Sequence, residues 1–227
     1  MPPESPQKFS RASSLLNRIL RPKHIRRFLY DSRCYHVFCR GTNLSPITPP
    51  TYEDISFFVA DDAMMRFIAP QLAPHYGHDA ETRLTARLRS GEIAIAGMSS
   101  RDRATAPLMF FCWLTKNDSI LQSFLANQPG LDGYCIQRLY VPKEFRRQGI
   151  AQRSHDFITY AARLNGIDRL WSFIDMSNTA NYQLHSTSLS NISTHYCDLS
   201  IRTFLGFRKV KLFNIQERTM RSLQSSY

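Results

Sequence analysis

From Tyr134 to Leu164 the chain passes from a β-type segment (Tyr134–Val141, YCIQRLYV) through a proline-marked turn into an amphipathic helix. No other stretch narrows the available folds as much. The helix, Gly149–Leu164, carries one apolar stripe of Ile150, Phe157, Ile158, Ala161 and Leu164. Asn165-Gly166 stops it, and a second strand-like run follows at Arg169–Asp175 (RLWSFID). Strands joined by helices in this way require a mixed α/β sheet with crossover connections.

The flanking segments fit the same class. Residues 35–42 (YHVFCRGT) read as a first strand. Thr51-Tyr-Glu-Asp then opens a helical pattern through Ile55, Phe58, Met64, Phe67 and Ile68, and a second helix over Ala80–Leu88 ends at Ser90-Gly91. Glu92–Met98 and Pro107–Leu114 read as a hairpin, residues 115–133 as a polar insertion, 177–190 as the start of a short helix capped by Ser177 or Asn178, and 203–215 as the last strand. The expected architecture is a central mixed sheet of six to seven strands flanked by four helices. Its expected parts are a basic, partly disordered arm (1–33), one domain (34–216) and a tail (217–227).

Composition removes several function classes. The longest apolar run, Leu108–Leu114, has seven residues, far fewer than the roughly 20 that span a bilayer as a helix. Five cysteines without a C-x-x-C pair are expected to be free thiols in a reducing, cytoplasmic setting. Neither cysteines nor histidines show zinc-ligand spacing, His75-Tyr-Gly-His78 lacks a third ligand, and no metal is expected. Phe110-Phe111-Cys112-Trp113 reads as buried strand before it reads as a base-stacking platform. No G-x-S-x-G, H-E-x-x-H or G-x-x-x-x-G-K-[ST] is present. Twenty-nine Lys and Arg against 18 Asp and Glu give +11. That excess leaves two readings open: a solvated basic face, or attraction to an acidic or nucleic-acid-associated partner. Seven of the cations lie in the first 30 residues with one acid, Glu4. Such an arm suits either organelle targeting or membrane contact, or a simple accessory role.

The turn between strand and helix carries the chemistry. Its residues run Leu139-Tyr140-Val141-Pro142-Lys143-Glu144-Phe145-Arg146-Arg147-Gln148-Gly149-Ile150-Ala151. The first amides of a helix lack intrahelical acceptors and stand at the positive end of its dipole. Glycine there lets an anion approach the backbone, and consecutive N–H groups can hold a pyrophosphate. Arg146 and Arg147 add cationic donors.

Arg146-x-x-Gly149-x-Ala151 resembles the acyl-CoA signature of the GNAT acyltransferase superfamily, Gln/Arg-x-x-Gly-x-Gly/Ala, and Leu139–Pro142 is similar to that family's strand leading into the loop. The element order from Tyr35 to Ile215 also resembles the family layout. The resemblance implies an N-acetyltransferase that uses acetyl-CoA, or another acyl-CoA, to acylate an amine of a small molecule, peptide or protein. It implies two central parallel strands, here 134–141 and 169–175, splayed around the pantetheine arm. Leu139, Tyr140 and Val141 would line that arm, Arg146, Arg147, Gln148, Gly149, Ile150 and Ala151 would hold the pyrophosphate, and Asn178 would complete the cofactor set.

The implied catalytic residues depart from the family pattern. Many relatives carry Glu where this chain has Gln137, and a carboxamide orients water but accepts no proton at neutral pH. A base must act from elsewhere, with Glu53, Asp54 and Tyr134 as candidates. The family's acid is a Tyr about seven residues after an Asn; counting from Asn178 gives His185, with Tyr182 one turn earlier. Leu205-Gly206-Phe207 arrives late after Asn178, so residues 186–202 are expected to form an insertion over the substrate side. Two other functions remain open at this point: an acyl-CoA-binding sensor without turnover, and a basic module that binds nucleic acid or membrane through its arm.

Overall fold

The computed structural model describes residues 30–42, 48–101, 106–190, 193–204 and 207–215. The basic arm up to residue 29 and the tail from residue 216 lie outside the described residues, as do Leu205 and Gly206. Eight strands form one sheet in the order β2-β3-β4-β5-β6-β1-β7-β8. The strands are β1 (Tyr30–Gly41), β2 (Ile55–Ala60), β3 (Ile93–Ser99), β4 (Leu108–Thr115), β5 (Tyr134–Tyr140), β6 (Arg169–Asp175), β7 (Thr194–Phe204) and β8 (Phe207–Phe213). The helices are α1 (Asp62–Tyr76), α2 (Ala80–Arg89), α3 (Ser119–Leu125), α4 (Ile150–Leu164) and α5 (Thr179–Gln183), the last running into a π turn at Leu184–Ser188. The fold is α/β with a mixed sheet, one strand and one helix larger than the upper expectation.

Helices cover both faces of the sheet. The α4 stripe of Ile150, Phe157, Ile158, Ala161 and Ala162 packs on Ile55, Ile95, Phe110, Cys112 and Leu170. On the opposite face α1 and α2 bury Met65, Ile68, Leu72 and Leu84 against Ala94, Ala96, Phe111 and Trp113. On that same face α3 places Leu121 and Phe124 against Val37, Trp171, Tyr196 and Leu199. Every residue of β4 is buried, as expected for a central strand covered on both sides.

Four expectations need correction. Ile55–Ala60 is the edge strand β2, paired antiparallel to β3, and not the start of a helix. The aromatic and β-branched content of ISFFVA favours a strand, and the helix begins only where Asp61 caps the Met64 N–H at 2.8 Å. Part of the polar segment 115–133 is α3, started by Asp118, which accepts from the Ile120 and Leu121 amides. Thr194–Phe204 is β7 in the sheet, so the stretch 186–202 is not an insertion over the substrate side. The expected boundary at 33/34 falls inside β1, which begins at Tyr30. Among the described residues no helix is long and apolar enough to cross a membrane.

One feature of the sheet positions the site. The parallel strands β5 and β6 pair only at Tyr134↔Leu170 and Cys135↔Trp171. Beyond that point β5 stays with β4 as far as Tyr140↔Phe111, while β1 holds β6 along its whole length, from Gly41↔Arg169 to Tyr35↔Asp175. The two centre strands therefore part toward their carboxyl ends. Gly133 sits at the vertex with φ +129; a Cβ there would stand 2.6 Å from the Arg169 carbonyl oxygen and 2.8 Å from Trp171 Nε1. Gly133→Ala is expected to destabilise the fold by about 1–3 kcal/mol in urea unfolding; unchanged stability would contradict this account of the vertex.

Candidate functional site

The parted strands lead to the start of α4. Gly149 precedes that helix with φ +70, and Arg147 also takes a positive φ of +63. Both left-handed residues turn the backbone sharply between the short 3-10 turn at Lys143–Phe145 and the helix. Among the described residues, none accepts a hydrogen bond from the N–H groups of Arg147 through Gln152; the first amide of this run with an acceptor is Arg153, bonded to the Gly149 carbonyl at 3.0 Å. A cavity of about 370 Å³ lies against these amides, lined by Val141, Phe145, Arg146, Arg147 and Gly149–Gln152 on one side and Ala180, Leu184 and Ser188 on the other. A Cβ at Gly149 would meet nothing within 4 Å, so the space in front of this backbone is open.

The loop is held from two sides. Arg146 Nε donates to the Val141 carbonyl at 3.1 Å, tying the turn to the strand end. Arg153, one turn into α4, donates to both carboxylate oxygens of Asp54 at 2.5 and 3.1 Å and to the Gln148 carbonyl at 3.3 Å. The Arg153 guanidinium beside it holds the Asp54 carboxyl below the usual carboxylate range. Asp54 lies just before β2 and is committed to this ion pair, which argues against its use as a base. Helix-start amides without acceptors, a positive dipole end and glycine beside an open cavity fit a pyrophosphate.

Residues 78–188 match the model of the Acetyltransferase (GNAT) family. Over these residues the chain carries a GNAT acetyltransferase domain. Structural comparison agrees on the fold: a Drosophila protein of known crystal structure aligns at TM-score 0.52 with 13% identity, over 85% of this chain and 58% of that one. A fungal glucosamine N-acetyltransferase region within a multi-domain β-N-acetylglucosaminidase aligns at 0.49 with 12% identity, over 93% of this chain and 24% of that one. A ribosomal-protein-alanine N-acetyltransferase of Brucella melitensis aligns at 0.42 with 16% identity, over 58% of this chain and 88% of that one. This chain thus spans 58% and 24% of the first two proteins' own lengths. No curated protein matches the sequence.

Within this GNAT fold the expected site residues separate into two groups. Val141, Arg146, Arg147, Gly149, Ile150 and Ala151 line the cavity. Gln148 contributes its free amide, while its side chain donates to the Glu144 carbonyl. Leu139 is half-buried against the α4 core and Tyr140 packs on His75, ring centroids 4.2 Å apart, both on the edge where β5 leaves β6. An extra β5 residue opposite β4, with Arg138 at φ +55, bulges this edge. Asn178 caps α5, accepting from the Asn181 amide at 3.1 Å, and does not line the cavity.

The expected catalytic residues fare differently. Both ends of the Gln137 carboxamide are taken: its oxygen accepts from Arg87 Nη2 at 2.5 Å and its nitrogen donates to Asp118 Oδ2 at 2.8 Å. Arg87 also pairs with Glu92 and stacks over Trp113 at 4.3 Å. Gln137 therefore joins an ordered network that commits one of its two amide hydrogens and one lone pair of its oxygen and fixes the orientation of the carboxamide. Tyr182 is 38% exposed and lies on His36, ring centroids 4.5 Å apart. His185, expected to titrate near neutrality, is 2% exposed and hydrogen-bonded to Ser193 Oγ at 3.0 Å. Burial, with the Arg40 cation beside it, pushes its pKa down to about 3, so the ring is neutral and is no proton donor at physiological pH. Helical counting located the residue but could not show that the π turn rotates it inward.

Arg40 was not anticipated. It is 3% exposed and donates to the His155 carbonyl at 3.0 Å, to Thr159 Oγ1 at 2.8 Å and to His155 Nδ1 at 2.9 Å, locking β1 onto α4. Burial, with Arg40 and His185 nearby, holds His155 well below the ordinary histidine value. Both buried histidines are thus neutral in the fold, whereas in the unfolded chain they take up protons below about 6.5. The unfolded state then binds more protons, so stability is full above about pH 6.5 and falls as pH drops toward 3, by up to about 1.4 kcal/mol per pH unit for each histidine. His185→Gln is expected to flatten the decline between pH 6.5 and 5 in guanidinium unfolding; profiles parallel to wild type would contradict a neutral buried His185.

Proposed function

We propose that this GNAT protein transfers an acetyl group from acetyl-CoA to a primary amine of a small molecule, peptide or protein. The observation that carries the reading is the run of N–H groups without acceptors, Arg147 to Gln152, facing the cavity between α4 and α5. These amides, with Arg146 and Arg147, hold the pyrophosphate. The edge of β5 from Leu139 to Val141, unpaired to β6, offers backbone groups to the pantetheine amides. Bound acetyl-CoA supplies the thioester carbonyl that the amine attacks.

Proton handling falls to few residues. Gln137 cannot accept a proton and Asp54 is held by Arg153, so of the candidate bases Glu53 and Tyr134 remain, and the amine's proton passes to one of them through water. Tyr182 is an exposed phenol on α5. Its helix neighbours Ala180 and Leu184 line the α4 cavity, and its own ring lines the adjoining one with Phe38 and His185. From that position it serves as the donor that protonates the departing thiolate. A second reading has a specific observation behind it. The network Arg87–Gln137–Asp118 holds a carboxamide, which accepts no proton, where the family pattern has a carboxylate, and this suits a module that binds acyl-CoA without turnover. For the acceptor, Arg202, Lys209 and Lys211 line a groove of about 510 Å³ across β7 and β8, a feature that favours an acidic or nucleic-acid-associated amine carrier.

CoA-thiol release across amine classes separates the readings. Turnover with one class, lowered at least about 10-fold in kcat by Tyr182→Phe, supports the transferase; CoA binding with no turnover on any amine supports the sensor. Gly149→Glu should abolish CoA binding in calorimetry by filling the open space and repelling phosphate. Unchanged affinity in the folded variant would contradict the placement of the site.

A further inference from the structure

β1 and β7 bring together three side chains of metal-ligating type, His36, His195 and Asp198, to which the proposed acyl transfer assigns no role. His36 and Asp198 are cross-strand partners and share a sheet face. His195, three residues before Asp198, would face the other way in a regular strand. The register shift between Val37↔Cys197 and Phe38↔His195 leaves Tyr196 as an extra residue on β7. This bulge returns His195 to the face of Asp198. His36 Nδ1 then lies 2.7 Å, and His195 Nε2 3.0 Å, from the same Asp198 Oδ1, with all three ligand atoms within 4.8 Å of one another.

The surroundings suit a cation as well as a hydrogen-bonded trio. Asn214 Nδ2 donates to the other carboxylate oxygen at 2.7 Å, fixing Asp198 so that Oδ1 faces the two imidazoles. Such outer hydrogen bonds orient metal ligands. The carboxylate is 8% exposed, and the imidazoles 23% and 26%, so the group is sheltered but reachable. His195 also lines a cavity of about 270 Å³ with Tyr182, Ser190 and Ser193. Two imidazole nitrogens and one carboxylate suit a zinc-type ion, while calcium and magnesium want more oxygen ligands. The ligands come from strands 162 positions apart in sequence, which is why no spacing motif announces them.

We propose that His36 Nδ1, His195 Nε2 and the Asp198 carboxylate bind one divalent transition-metal ion of the zinc type, with a further coordination position turned toward the cavity beside Tyr182. The three ligands are distinct from the α4 cradle: none of them lines the cavity at Gly149–Gln152, and His195 lines the adjoining one with Tyr182 and His185. The ion cross-links β1 to β7 and backs the His36 ring on which Tyr182 rests. It is independent of whether the chain turns over acetyl-CoA.

The test is titration of the chelator-treated full chain with zinc chloride and cobalt chloride, read by calorimetry and by visible cobalt absorption. One ion per chain is expected. Asp198→Asn, which keeps the side-chain shape, and His195→Ala should each weaken zinc binding by at least about 100-fold, and Asn214→Ala by about 10–100-fold. Paired His75→Ala and His78→Ala substitutions should leave affinity unchanged. Far-UV circular dichroism of each metal-free variant establishes that it is folded. Absence of zinc binding, binding that survives Asp198→Asn, or binding lost with His75 and His78 would each overturn the proposal.

Discussion

Everything at the candidate site depends on two parallel strands that pair at their first residues and then cannot stay together. β5 is drawn along β4 through a bulge at Arg138, and β6 is drawn along β1 without interruption. Gly133 allows the close approach at the vertex, where any side chain would meet the Arg169 carbonyl. The main-chain groups on the inner edges of the opened sheet need partners. In the proposed complex a ligand that brings its own amides would satisfy them, and the α4 amides at the open end would satisfy its phosphates. The fold at the site and the proposed ligand chemistry thus rest on one departure from regular pairing.

The anchoring of β1 explains how the departure is maintained. β1 carries Arg40 into the interior, where it bonds the α4 backbone at His155 and the Thr159 hydroxyl, and its other edge pairs β7 over ten positions. The buried cation keeps its charge, although burial lowers its pKa to about 10. Two neighbouring histidines stay neutral beside it. A strand near the amino terminus therefore braces the half of the sheet that moves away from β5, and α4 is bound both to that strand through Arg40 and to the lead-in of β2 through Arg153 and Asp54.

Much of this was legible in the sequence, for identifiable reasons. The strand–turn–helix from Tyr134 to Leu164 combined a period-matched stripe, a proline and a glycine at the helix start, and these local signals survive any tertiary context. The hairpin of β3 and β4 was equally local. Ile55–Ala60 misled because Ile55, Phe58, Met64 and Ile68 fall near helical spacing across a strand–helix junction, and only Asp61 marks the break. β7 was missed because its bulge and its His, Cys and Asp residues disturb alternation. The burial of His185, the Arg87–Gln137–Asp118 network and the His36–His195–Asp198 group arise from contacts between distant segments, which no local pattern encodes.

Amide chemical shifts of the ¹⁵N-labelled chain during titration with CoA test the central claim most directly. The account predicts that the largest changes fall on Arg147 to Gln152, with a second set on Leu139 to Val141. Binding that leaves those amides unmoved and perturbs another surface would contradict it.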